Sequence, residues 1–214
     1  MSMLVKDWMK KDVITIDAHA SVIDAVHLLK EKGIRRLPVL KNGKLVGIVT
    51  DRDLKDFTPS KATTLDIYEL RYLLSKANVE EAMTPNPITV PPDVPIENVA
   101  LIMHDKKISG LPVMEGDNLV GIITESDVFE VLVALTGVKQ GGVRICLPIE
   151  DRSGSAKEVA DILRKHGGKI EAILINYEGV APGYRELIMR FKGGDTQAIL
   201  KEIKENYPNV MVSE

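Results

Sequence analysis

A chain of 214 residues, 44% of them hydrophobic, can bury a core in each of one or two domains. Its net charge of −3 comes without an offsetting basic cluster, and no apolar run approaches the roughly 20 residues of a membrane span, which argues against nucleic acid and membrane as partners. A single cysteine, Cys146, rules out a disulfide framework and fits a reducing cytoplasm, the expected location.

Met1 to Lys11 has neither the apolar stretch nor the small-residue cleavage site of a secretory signal. Val13 to Ile16 then reads as a short strand. Ser21 is placed to cap a helix whose Val22, Ala25, Val26 and Leu29 share one face and which Gly33 ends. Leu37 to Leu40 and Leu45 to Val49 are strands around Asn42-Gly43, a dipeptide suited to a tight hairpin. A second helix starts near Thr50.

The next stretch, about residues 61–78, is expected to be a connecting helix, with Leu65, Tyr68, Tyr72 and Leu73 at helical spacing behind the bend at Thr58-Pro59-Ser60. After it the first pattern returns. Gly47-Ile48-Val49-Thr50-Asp51-Arg52-Asp53 recurs 74 positions on as Gly121-Ile122-Ile123-Thr124-Glu125-Ser126-Asp127. The same shift pairs Leu37-Pro38-Val39 with Leu111-Pro112-Val113, and Met9 with Met83. Residues 1–60 and 79–136 are therefore two copies of one unit. In the second copy Ile88 to Val90 is the expected first strand, Pro95 falls in the opening turn of the helix, and Glu115-Gly116-Asp117-Asn118 replaces the Asn-Gly turn.

Gly137, Gly141 and Gly142 break the pattern, and a separate domain is expected over 143–214. It reads as strand Val143 to Ile149, a helix opened by a capping box at Ser155-Ala156-Lys157-Glu158, strands Ile170 to Tyr177 and Arg185 to Lys192, a helix capped by Asp195, and a last strand Asn209 to Val212. That βαββαβ order belongs to the ferredoxin-like fold, so the chain as a whole is of the α/β (α+β) class.

The repeated Gly-to-Asp motif looks like a strand running into a helix start. Two readings follow. Helix starts expose backbone N–H groups that suit a phosphate, and an adjacent carboxylate can accept hydrogen bonds from ribose hydroxyls. Alternatively Thr50 and Thr124 cap helices, with Asp53 and Asp127 in a capping-box arrangement.

Residues 1 to about 135 resemble a tandem pair of cystathionine-β-synthase (CBS) domains. The resemblance rests on Asp7-Trp8-Met9 and Glu81-Ala82-Met83, on Ile34-Arg35-Arg36-Leu37-Pro38-Val39 and Ile108-Ser109-Gly110-Leu111-Pro112-Val113, and on the two Gly-to-Asp motifs. It implies a homodimer and clefts between the repeats that hold adenine nucleotides such as AMP, ADP or ATP as regulatory ligands. Carried over residue by residue, Asp53 and Asp127 would grip ribose, Thr50 and Thr124 would sit at the phosphate, and Arg35 and Arg36 would take further phosphates. Thr15 and Thr89, with Ile14 and Ile88, would line the base and phosphate wall, though they read at least as well as ordinary strand residues, and Ile34 and Ile108 would also belong to the nucleotide site. The second copy has Ser109 and Gly110 where the first has its arginines, so the two clefts should differ.

Residues 143–214 resemble an ACT domain, a small regulatory module. By that resemblance an amino acid would bind at Asp151, Ser153 and Gly154, where Ser153 stands in place of the usual proline; an empty site in a dimerising domain is the other reading. The CBS-CBS-ACT layout is similar to acetoin-utilisation proteins of the AcuB type. No catalytic residue, metal site or cofactor is expected: the four histidines lie far apart and no nucleophile or phosphate-loop motif occurs. The expectation is thus a non-enzymatic regulatory protein acting on an unknown partner. An assembly module with empty clefts and an enzyme acting on acetoin or an acyl group are the alternatives.

Overall fold

The opening segment of each repeat is built into the other repeat. In the computed structural model, which describes residues 3–57, 72 and 74–213, the first copy comprises α1 (Val5–Trp8), β1 (Ile16–Asp17), α2 (Val22–Lys32), β2 (Arg36–Lys41), β3 (Lys44–Thr50) and α3 (Asp51–Phe57). The second comprises α4 (Val79–Ala82), β4 (Thr84–Pro85), α5 (Ile96–Lys106), β5 (Gly110–Glu115), β6 (Asn118–Thr124) and α6 (Glu125–Leu135).

The α1 segment joins the second copy: the Val5 N–H donates to Val94 O (2.9 Å), and Lys10 exchanges two backbone hydrogen bonds with Ile122 (2.9 and 3.0 Å). The α4 segment joins the first copy in the same way, with Val79 N–H donating to Ala20 O (2.9 Å) and Thr84 of β4 lying opposite Ile48 of β3. Glycine makes both crossings possible. A Cβ on Gly121 would overlap the Met9 sulfur, and one on Gly47 the Met83 sulfur.

The hairpins are in the expected places. Asn42 (φ 53°) and Gly43 (φ 77°) turn β2 into β3 with positive φ at both positions. Gly116 (φ 59°) and Asp117 turn β5 into β6. Ser21 and Asp24 cap α2 reciprocally, and Gly33 ends it in the left-handed conformation.

Three local expectations are corrected. The first strand is Ile16–Asp17, parallel to β2, because these residues rather than Val13 to Thr15 lie alongside its edge. In the second copy Ile88 and Thr89 form no ladder and Val90 alone bridges Val113. Pro95 stands just before α5 in extended conformation (ψ 140°) rather than in its first turn. The exchanged segment replaces a side-chain cap there, since Ile96 N–H donates to Met3 O (2.8 Å). Of the expected connecting helix, Tyr72 and residues 74–76 are helical; Leu65, Tyr68, Leu73 and the Thr58-Pro59-Ser60 bend lie outside the described residues.

By its contacts the chain divides into compact units 1–128 and 129–214, within α6. In the second unit, β7 (Val143–Glu150), α7 (Ser155–Lys165), β8 (Lys169–Asn176), β9 (Tyr184–Lys192), α8 (Thr196–Asn206) and β10 (Met211–Ser213) follow a 3₁₀ turn, Val138–Gln140. The sheet order is β10-β7-β9-β8, antiparallel throughout, as βαββαβ topology requires. Strict alternation sends Ile145, Leu147, Ile149, Leu187, Met189 and Phe191 into one core with Val159 and Leu163 of α7 and Ile199 and Ile203 of α8. Asp195 caps α8, accepting from Ala198 N–H (3.0 Å).

The expected capping box at Ser155-Glu158 does not form. The residue before α7 is Gly154, with no side-chain cap. Arg152 holds Glu158 in a two-pronged pair (2.7 and 2.8 Å), and the Ser155 hydroxyl donates to Arg152 O (3.0 Å). A guanidinium fork outcompetes a single backbone N–H for the carboxylate.

Candidate functional site

The two Gly-to-Asp motifs share a pair of hydrogen bonds onto one aspartate oxygen. β3 ends at Thr50 and α3 begins at Asp51, so Asp53 is the third helical residue. Its Oδ2 accepts from both the N–H and the hydroxyl of Thr50 (2.8 and 2.7 Å), and its own N–H donates to Thr50 Oγ1 (3.3 Å). In the second copy Asp127 Oδ2 accepts the same pair from Thr124 (2.8 and 2.6 Å). One carboxylate oxygen is consumed by each turn. The other, Oδ1, accepts nothing among the described residues, and it belongs to an aspartate that is 3% exposed at position 127 and half-buried at 53.

Arg36 crosses from the first copy to the second. Its Nη2 donates to Ser109 Oγ (2.8 Å), while Nη1 is shielded from solvent without an acceptor. Burial lowers the pKa of this guanidinium, and the charges of Glu125, Asp51 and Asp127 oppose that effect. A cation held beside the Asp127 motif with an unused donor has the character of an anion-binding group.

The remaining candidates divide. Arg35 is exposed and engages through its carbonyl, which accepts from Asp51 N–H (3.0 Å). Ile14 and Ile34 pack against the first copy's core, and Thr15 beside Ile14 is half-buried. Ile88 is 42% exposed and Thr89 is exposed, while Ile108 is half-buried. In the other unit, Asp151, Ser153 and Gly154 lie on the exposed β7–α7 loop, with Asp151 3.6 Å from Arg185. Nothing in the sequence pattern marks Ser109, Glu125 and Asp51 as neighbours of Arg36. Ser109 and Glu125 become its neighbours through the crossing of one side chain between repeats, which spacing does not encode, whereas Asp51 is brought near by the pairing of Arg36 with Thr50 in the β2–β3 hairpin. Among the described residues no cluster of His, Cys, Asp and Glu could hold a metal ion, and no helix is long and apolar enough to cross a membrane.

Residues 5–59 and 79–134 each match the CBS domain. The chain belongs to the CBS-domain family. A CBS domain-containing protein of Dictyostelium discoideum is 34% identical over 135 residues, which span 62% of this chain and 93% of that protein. L-aspartate semialdehyde sulfurtransferase of Methanocaldococcus jannaschii is 36% identical over 127 residues, 58% of this chain but only 22% of the enzyme. The similarity to enzymes is thus to the CBS portion of larger proteins, and CBS pairs are in general regulatory rather than catalytic.

Three solved structures extend this. The CBS domain pair of protein MJ0100, in complex with 5′-methylthioadenosine and S-adenosyl-L-methionine, is 33% identical with a TM-score of 0.51 and covers 62% of this chain and 97% of that one. CBSX2 in complex with AMP, the Arabidopsis thaliana protein, is 32% identical (TM-score 0.51; 62% and 97% covered). A putative acetoin utilization protein (AcuB) from Vibrio cholerae is 30% identical (TM-score 0.54; 65% and 97% covered).

Proposed function

We propose that this CBS protein is a non-enzymatic, cytoplasmic, homodimeric sensor that binds adenine nucleotides, AMP, ADP or ATP, between its repeats. The carrying observation is the pair of Thr-Asp turns, each of which leaves one aspartate oxygen unused at a helix start. Asp53 and Asp127 would receive the ribose hydroxyls, and Thr50 and Thr124 would stand by the phosphate. Arg36, with Nη1 unpartnered, would neutralise phosphate charge, with Arg35 at the rim. Ile14, Thr15, Ile34, Ile88, Thr89 and Ile108 would flank the base. Adenosine ligands in two structurally similar CBS pairs support the ligand class.

The same reading assigns residues 1–60 and 79–136 to CBS repeats, 61–78 to a connecting helix, and 143–214 to an ACT-like domain. That domain would bind an amino acid at Asp151, Ser153 and Gly154 and pass occupancy to a regulated protein. Similarity to the Vibrio cholerae protein supports acetoin utilisation as the setting. Regulation of this kind requires the nucleotide to favour one of two arrangements.

A second reading is favoured by the same hydrogen bonds. Because each aspartate already satisfies its own turn, the motif can be structural and the protein an assembly module. Isothermal titration with AMP, ADP, ATP and S-adenosylmethionine separates the two. Asp53→Ala and Asp127→Ala should each cost about 1 kcal/mol of stability under either reading. Under the sensor reading each should also remove roughly 1.5–3 kcal/mol of nucleotide affinity from its cleft. No binding by folded wild-type protein leaves the assembly module.

A further inference from the structure

The face of the C-terminal sheet turned away from α7 and α8 carries a second cluster of charge. Arg144 on β7 and Arg190 on β9 are direct cross-strand partners, so two guanidinium groups start from neighbouring positions on one face. Like charges placed directly opposite destabilise a sheet. Neither arginine forms an ion pair with a carboxylate among the described residues. Glu186 lies on the same face, opposite Pro148, and reaches the Cys146 thiol that Arg144 also neighbours, without an ion pair to either arginine; Glu171 is engaged by Lys169 and Lys192 (3.2 and 3.3 Å).

Arg190 is only 8% exposed. Its Nε donates to Thr136 O (3.2 Å) and its Nη1 to Gly142 O (3.0 Å); its Nη2 has no protein acceptor among the described residues. A buried cation without a counter-charge is costly unless an anion joins it.

Both arginines line a cavity of about 380 Å³, wholly within the 129–214 unit. Apart from Thr136 its other walls are aliphatic: Leu132, Val133 and Val138 on one side, and Ala172, Leu174 and Ile188 from the sheet. Small-molecule sites combine such apolar walls with a few convergent polar groups. We propose that this cavity binds a small carboxylate with a short branched aliphatic body and no ammonium group, as in a 2-oxo acid. The paired guanidinium groups match a carboxylate, and inorganic phosphate would leave the apolar walls unused. An α-amino acid would set its ammonium group beside two arginines in a cavity lined by no carboxylate. The site is distinct from the β7–α7 loop and from the Thr-Asp turns.

The test is titration of the intact protein with 4-methyl-2-oxopentanoate, alongside L-leucine, 3-methylbutan-1-ol and inorganic phosphate. Saturable binding of the oxo acid, at least ~10-fold tighter than any comparator, is expected. Arg144→Gln, at a half-buried position, should weaken it by about tenfold or more, the loss of one charge-assisted bond. Ala172→Leu should weaken it by filling the cavity, and serves as the second variant if Arg144→Gln does not fold. The titration is run on nucleotide-free protein, so that failure of the nucleotide reading would be seen separately. Absence of oxo-acid binding, equal binding of leucine or phosphate, or wild-type affinity in the folded variants would overturn the assignment.

Discussion

Arg36 and Gly110 occupy the same position in the two repeats, and the side chain of the first fills the space left by the absent side chain of the second. Two arginines could not both stand there. The asymmetry between Ile34-Arg35-Arg36 and Ile108-Ser109-Gly110 is therefore complementary packing across the pair, and Ser109 adds the hydrogen bond that fixes the guanidinium.

A Cβ on Gly110 would overlap Arg36 Nη1, so Gly110→Ala should destabilise the protein by about 1–3 kcal/mol, the usual range for overpacking. In the Arg36→Ala background the same change should cost much less. A double-mutant cycle by urea denaturation measures the coupling; additive effects would mean that the two positions do not meet.

Removing residues 1–11 should loosen the second repeat more than the first. The amides of Ile96 and Ile122 donate to Met3 O (2.8 Å) and Lys10 O (3.0 Å), and both acceptors leave with the segment. Hydrogen exchange should show protection lost at these two amides and retained at Val39 and Val49 in the first copy's sheet. Loss confined to the first repeat would contradict the exchange of segments.

In the C-terminal unit, Glu202 holds Lys165 (2.8 Å) and His166 (2.6 Å), and these hydrogen bonds lower its pKa, Lys165 contributing most. A carboxylate with a depressed folded pKa contributes stability above its unfolded value, and that contribution is lost as pH falls through the folded pKa. Glu202→Gln should therefore lower the melting temperature at pH 7 and converge with wild type under strongly acidic conditions. Parallel melting curves across that range would show that the cluster adds nothing.

Cys146 is 2% exposed, and burial, reinforced by Glu186, pushes its thiol pKa up to about 11. At pH 8 iodoacetamide should modify unfolded protein rapidly and folded protein hardly at all, because the thiolate is the nucleophile. The raised pKa stabilises the fold fully below the unfolded value near 9, and that contribution is lost as pH rises toward 11. Rapid alkylation of the native protein would place the thiol at the surface.

Local chemistry was largely legible. Ser21, Asn42-Gly43, Gly33 and Asp195 act within a few residues of themselves, so their cap and turn roles are written in short-range geometry. The failed box at Ser155 shows the limit: its Glu158 had a competing partner in Arg152, and pattern alone does not rank competitors. The strand at Ile16 and the lone bridge at Val90 fall at the ends of the apolar stretches that contain them, because pairing is bounded by the neighbour's edge and not by a strand's own residues.

By itself, then, the sequence determined the duplication, the Thr-Asp turns in each copy and the βαββαβ order of the C-terminal unit, because repeats, caps and alternation are local and periodic. Tertiary structure alone decided that each repeat's opening segment completes the other, that Arg36 crosses to Ser109, and that Arg144 and Arg190 stand side by side. Those facts depend on which distant strands pair and in what register, and a register is set by the packing of the whole sheet rather than by any one stretch of chain.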